Sequence, residues 1–167
     1  MKKIVLAIDI MGGDFGPKTT IEGVLMASKA YPNVKFILFG DKNKSKDELQ
    51  KISNLKNYEF VHTTESIRSS DKPVNALRKL KKSSMRLGIN SVKLNECDGL
   101  VSAGNTGALM AISKFVLKTI KAIDRPAIAA LMPTMKGQTV ILDLGANVEC
   151  SNENLVQFAI MGDMFSK

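Results

Sequence analysis

The sequence predicts an α/β protein, three layers of helix, sheet and helix around a mostly parallel sheet. Three observations predict it. Strand-like apolar runs alternate with segments of helical period along most of the chain. The first strand candidate is apolar nearly throughout, as a strand buried on both faces must be. Tight loops of small and polar residues follow strands and precede helices, the punctuation of a strand–turn–helix unit. At 167 residues and 44% hydrophobic content the chain can build a real core, and it reads as a single domain over residues 1–167.

Residues 3–8 form the first expected strand, bounded by Asp9 and the pair Gly12-Gly13. Pro17 suits the first turn of a helix, and Ile21, Val24, Leu25 and Ser28 continue it at helical spacing up to Tyr31-Pro32. Residues 34–39 make a second strand, 46–52 a short polar helix, and 58–62 a third strand. A polar loop over 65–72 leads to Pro73, which starts a helical region that breaks near Ser83 and resumes to Leu94. Residues 97–101 are the fourth strand, opened by Cys97, and 105–120 a helix. Residues 127–132 and 139–144 are two further strands whose short connection implies a hairpin or adjacent antiparallel strands. The last helix begins near Asn152 and is apolar on most faces, so it expects further chain or a second molecule over it.

Composition narrows the function classes. The chain carries 24 basic and 16 acidic residues, a net charge of +8. Between Arg68 and Lys93 stand eight basic residues and the single acid Asp71, which leaves that stretch at +7. It is either a solvated helix face or a docking surface for an acidic partner or an anionic membrane, with Arg78, Lys79, Lys81, Lys82 and Arg86 at its centre. Nucleic acid is not the expected partner, because no aromatic residue is interleaved for base stacking. Cys97 and Cys150 are far apart with no CxxC neighbour, and the lone His62 is not near them in sequence, which argues against a zinc site and a disulfide scaffold. No metal and no cofactor are expected. The apolar N-terminal run is too short for a signal peptide and no run is long enough to span a bilayer, so a cytoplasmic protein is expected.

Three loops share one character: 9–17, 102–107 and 143–150. Each follows a strand, precedes a helix and is rich in small residues. At the carboxyl ends of parallel strands such loops gather on one rim, where ligands bind. Glycine lets a ligand approach backbone N–H groups, and a helix start adds unpaired donors and partial positive charge suited to phosphate. The candidate anion-binding residues are Gly12, Gly13, Asp14, Ser102, Gly104, Gly107, Gly145 and Asn147, with Arg125 as a cation able to pair with phosphate. Asn105 and Thr106, at the helix start, and His62, as the lone histidine, are the candidate catalytic residues; a structural role is open for each. Asp9 and Asp143 fit turn or helix caps, or else the positioning of Lys or Arg side chains or the repulsion of wrong substrates. Neither GxGxxG nor GxxxxGK[ST] occurs, so dinucleotide or nucleoside-triphosphate binding has no support.

The elements DIMGGDFGP (9–17), DKPVNALRKLKKSSM (71–85), SAGNTGALMA (102–111), IDRPAIA (123–129) and LDLGANVEC (142–150) resemble the acyl-carrier-protein:phosphate acyltransferase family. The resemblance covers essentially the whole chain. It implies a fold like that of the isocitrate/isopropylmalate dehydrogenase class, truncated to the N-terminal half of a family chain about twice as long. It also implies that acyl-ACP and inorganic phosphate become acyl-phosphate and free carrier protein, in a homodimer that touches an anionic membrane peripherally. The basic stretch would then meet the acidic carrier or anionic lipid. Two other readings fit the residues: transfer from a small acyl-CoA to phosphate, as in phosphate acetyltransferases, and a non-catalytic binding domain.

Overall fold

The computed structural model describes residues 3–147 and 149–167. They fall into two compact units, one up to Leu117 and one from Lys118 to Lys167.

The first unit is built on β1 (Val5–Asp9), β2 (Lys35–Gly40), β3 (Tyr58–His62) and β4 (Gly99–Ser102), which form a parallel sheet in the order β3-β2-β1-β4. Apolar β1 lies in the middle, where both its faces are covered. Its alternate residues feed two cores. Ile8, with Ile10, Phe36 and Leu38, packs against Ile21 and Val24 of α1 (Pro17–Ala30) and Ile52, just past α2 (Lys46–Lys51). Ala7, with Phe39 and Cys97, packs on the other face against Leu87 and Val92 of α4 (Ser84–Lys93). Behind α4, Met85 and Ile89 meet Ala76 of α3 (Pro73–Lys79) and Ala108, Ile112 and Val116 of α5 (Thr106–Leu117). Helices therefore cover both faces, the three-layer arrangement expected from the alternation of elements.

Local chemistry sets most boundaries. Pro17 and Pro73 open α1 and α3, where a missing N–H costs nothing. The break expected near Ser83 is a cap: Ser83 Oγ accepts from the Arg86 amide and donates to the Leu80 carbonyl. α5 ends at Leu117, three residues before the expected stop, because Lys118 takes a left-handed conformation with φ 67°. Cys97 is buried as expected but precedes the strand, which begins at Gly99.

The second unit holds the antiparallel hairpin β5 (Ala130–Thr134) and β6 (Gly137–Ile141), followed by α6 (Asn152–Ser166). The pairing of Thr134 with Gly137 brings both strands closer to the turn than expected. Pro133 sits inside β5 because a two-stranded ribbon has an open edge for a residue without an N–H. Ser151 and Asn154 form a reciprocal capping box that starts α6 where the sequence placed it.

Candidate functional site

Two of the three loops meet. β1 and β4 are neighbours, with Asp9 opposite Ser102, so the loops leaving them emerge side by side. Their backbones are nearly in contact: a Cβ added to Gly12 would lie 2.8 Å from the Gly104 nitrogen. A Cβ on Gly13, at φ 86°, would lie 3.2 Å from the Ala103 Cβ. Glycine is needed at both positions, for close approach at the first and for conformation as well at the second.

Buried Asp9 fastens the pair. Its carboxylate accepts the Ser102 hydroxyl at 2.7 Å and the Met11 amide at 3.3 Å, and Ser102 Oγ accepts the Gly104 amide at 3.1 Å. Asp9 is the turn cap foreseen from its position, and Ser102 belongs to the scaffold of the loops.

Asn105 is used at both ends. Its Oδ1 accepts the Ala108 amide at 2.9 Å and caps α5. Its Nδ2 lies within 3.3 Å of the Arg68 carbonyl, 3.0 Å of the Ser69 carbonyl and 2.9 Å of the Asp71 carbonyl. The side chain thus ties the 68–71 loop to the start of α5. Pro73 adds to this junction: its Cγ lies 2.8 Å from where a Gly107 Cβ would stand. Arg68 and Lys72 are thereby carried to the α5 start, two exposed cations that the motif reading did not single out. Their signal was available, since they flank the polar loop that runs into Pro73.

The donors that matter are on the backbone. Among the described residues, the amides of Gly13 and Asp14 and those of Asn105, Thr106 and Gly107 have no protein acceptor, whereas Gly12 is buried and closes the turn over residues 10–11. Thr106, Gly107 and Asp14 are exposed. Unpaired amides on two touching loops, one set at the start of a helix, can bind an oxyanion.

His62 is not brought to this group. It ends β3, at the opposite edge of the sheet from β4 and three strand spacings away, on the order of 14 Å. Its Nδ1 accepts the Lys42 amide at 3.1 Å, which assigns it a place in the β2 turn.

Arg125, Gly145 and Asn147 belong to the second unit: Arg125 precedes the hairpin, and the loop of Gly145 and Asn147 follows a hairpin strand and not a strand of the parallel sheet. Asp143 gathers two of its segments, accepting the Ile128 amide at 2.9 Å and the Asn147 amide at 2.7 Å. The Asn147 side chain donates to Asp143 and to the Pro126 carbonyl, each at 3.0 Å, and Arg125 donates to the Glu149 carbonyl at 3.0 Å. Burial alone would push the Asp143 carboxyl up. The amides of Ile128, Asn147 and Ala146 outweigh it and hold the group below the ordinary carboxylate range.

The basic stretch lies along α3, the turn after it and α4. Arg78, Lys79, Lys81 and Lys82 are exposed, and Arg86 is half-buried with its guanidinium 5.6 Å from the centre of the Phe115 ring. Among the described residues none of these five makes an ion pair.

Fold and loops together define a class: an α/β protein with free amides on adjacent strand-end loops and an unpaired basic face, suited to an anionic ligand. Comparison with known proteins makes this more particular. A family model described as fatty acid synthesis protein matches residues 4–167, and the chain belongs to that family. It is 50% identical over 162 residues to a phosphate acyltransferase of Magnetococcus marinus, covering 96% of this chain and 46% of that protein. It is 47% identical over 165 residues to the phosphate acyltransferase of Paramagnetospirillum magneticum, covering 98% of this chain and 47% of that one. With the phosphate acyltransferase of Aeromonas salmonicida the identity is 47% over 170 residues, covering all of this chain and 50% of the relative. The chain spans about half the length of the curated relatives it matches. No helix among the described residues is long and apolar enough to cross a membrane.

Proposed function

We propose that this chain supplies the phosphate-binding part of an acyltransferase that turns acyl-ACP and inorganic phosphate into acyl-phosphate and free carrier protein. A phosphate oxygen attacks the thioester carbonyl carbon, the new C–O bond forms, and the C–S bond breaks. The phosphopantetheine thiolate leaves and takes a proton from water. Phosphate is partly dianionic near neutrality, so the step asks for orientation and charge stabilisation and not for a general base; His62 has no part in it.

One observation carries the reading: the acceptor-free amides of residues 13–14 and 105–107 lie on two loops in contact. They would hold phosphate or the carbonyl oxyanion. Thr106 would add its hydroxyl, and Arg68 and Lys72 positive charge. Asn105 would act through the loop that it ties down. The names of the relatives support phosphate as the acceptor. Gly145, Asn147 and Arg125 would offer further anion contacts within their own unit, and both units would belong to the N-terminal half of one longer α/β protein.

Arg78, Lys79, Lys81 and Lys82 would receive the acidic carrier, and the exposed apolar residues of α6 would pack in a homodimer that meets an anionic membrane peripherally from the cytoplasm. The experiment is an acyl-phosphate assay on this chain alone and with the remaining half of a relative supplied as a separate chain. Product from acyl-ACP, and none from acetyl-CoA, is expected once the second half is present. Product from acetyl-CoA alone, or carrier binding with no product, would overturn the reading.

A further inference from the structure

We propose that an apolar groove between α1 and the β1–β4 pair receives the alkyl chain of the acyl donor. The inference rests on the acyl-transfer reading above and adds the place of the chain to it. The groove measures about 360 Å³ and is walled by Leu6, Ile8, Val24, Ala27, Phe36 and Val101. That volume lies in the range of small-molecule sites.

Sequence makes the groove in two ways. α1 turns small groups toward it: Thr20, whose hydroxyl bonds back to the Gly16 carbonyl at 3.1 Å, and Gly23, where an added Cβ would meet nothing within 4 Å. β4 also lies beyond the helix cover on this side, so Val101, paired with buried Ile8, is left 52% exposed.

Its chemistry and its end point to the ligand. No charged side chain lines the groove, which leaves nothing to hold a headgroup or a nucleotide. One end is Ala103, the residue against Gly13 in the pair of loops that carry the free amides. From the level of Leu6 to that of Ala103 the sheet rises through four residues, about 13 Å, enough for on the order of ten methylene groups. A chain lying there would bring its carbonyl to the amides at the loop end.

Gly23→Phe tests this in the full 167-residue chain. The open space at Gly23 admits the ring, and removing a mid-helix glycine favours α1, so the variant is expected to fold. Equilibrium dialysis measures butanoyl-, octanoyl- and hexadecanoyl-pantetheine on both proteins, with inorganic phosphate measured in parallel and oligomeric state by sedimentation. Wild-type affinity should rise about fourfold per methylene and level off near ten carbons. The variant should bind hexadecanoyl-pantetheine at least about tenfold more weakly, with phosphate binding unchanged. A variant that folds and binds the long chain like wild type overturns the groove assignment, as does a wild-type dimer that Gly23→Phe dissociates, which would make the groove a seat for a second copy. Phosphate binding without chain-length dependence removes the groove and leaves the acyl-transfer reading standing. Failure of wild type to bind phosphate removes that reading and the groove with it.

Discussion

Asn105 concentrates what a single residue does here. Its position in a glycine-rich loop suggested catalysis, but its side chain caps α5 and holds three carbonyls some 34 to 37 positions away. No local pattern reveals partners at that separation, so this role was not legible in the sequence. Asn105→Ala should cost about 2 kcal/mol in urea unfolding, and Asn105→Asp at least about as much, because it keeps the cap but sets a carboxylate oxygen against the three carbonyls. The two cysteines should separate cleanly in thiol labelling: exposed Cys150 reacts in the native protein, while Cys97 is protected. Burial keeps the Cys97 thiol raised and protonated. Asp143 gives a pH signature. Its folded value lies below its unfolded one, so its stabilising effect is complete above about pH 4 and fades as pH falls through the folded value. Amide resonances of Ile128 and Asn147 should therefore hold steady from about pH 6 to about pH 4 and move together below it, and Asp143→Asn should abolish the transition.

Elements were more legible than residues. Strands 1 to 3, the proline-started helices, the break at Ser83 and the start of α6 all carry local signals, and each lies within a residue or two of its expected place. The misses have physical causes. The stop of α5 is made by a lysine in a left-handed conformation, where neither glycine nor proline marks it. Lys118→Gly should relieve that strain and stabilise the first unit by up to about 1 kcal/mol, read as a raised unfolding midpoint. The hairpin shifted toward its turn because pairing, which a single strand cannot show, fixes register.

For the whole molecule, topology decides which loops can cooperate. The sheet order β3-β2-β1-β4 makes the 9–17 and 102–107 loops neighbours and sends His62 to the far edge. The sequence offered three similar loops, and the hairpin expected just before the 143–150 loop was the signal that this one leaves a different kind of strand. Charge acts at this scale too. The cations from Arg68 to Lys93 have no ion-pair partner among the described residues, so their field is uncompensated. Reversing Arg78 and Lys79 to Glu should weaken binding of an acidic carrier protein by about tenfold at low salt, and the difference should shrink toward none near 1 M salt.

Phosphate titration followed amide by amide tests the anion site most directly. Resonances of Gly13, Asp14, Asn105, Thr106 and Gly107 should shift together along one saturable curve, with sulfate competing and chloride inert. Shifts scattered over the basic face and abolished by moderate salt, or no saturable change in these five amides, would contradict it.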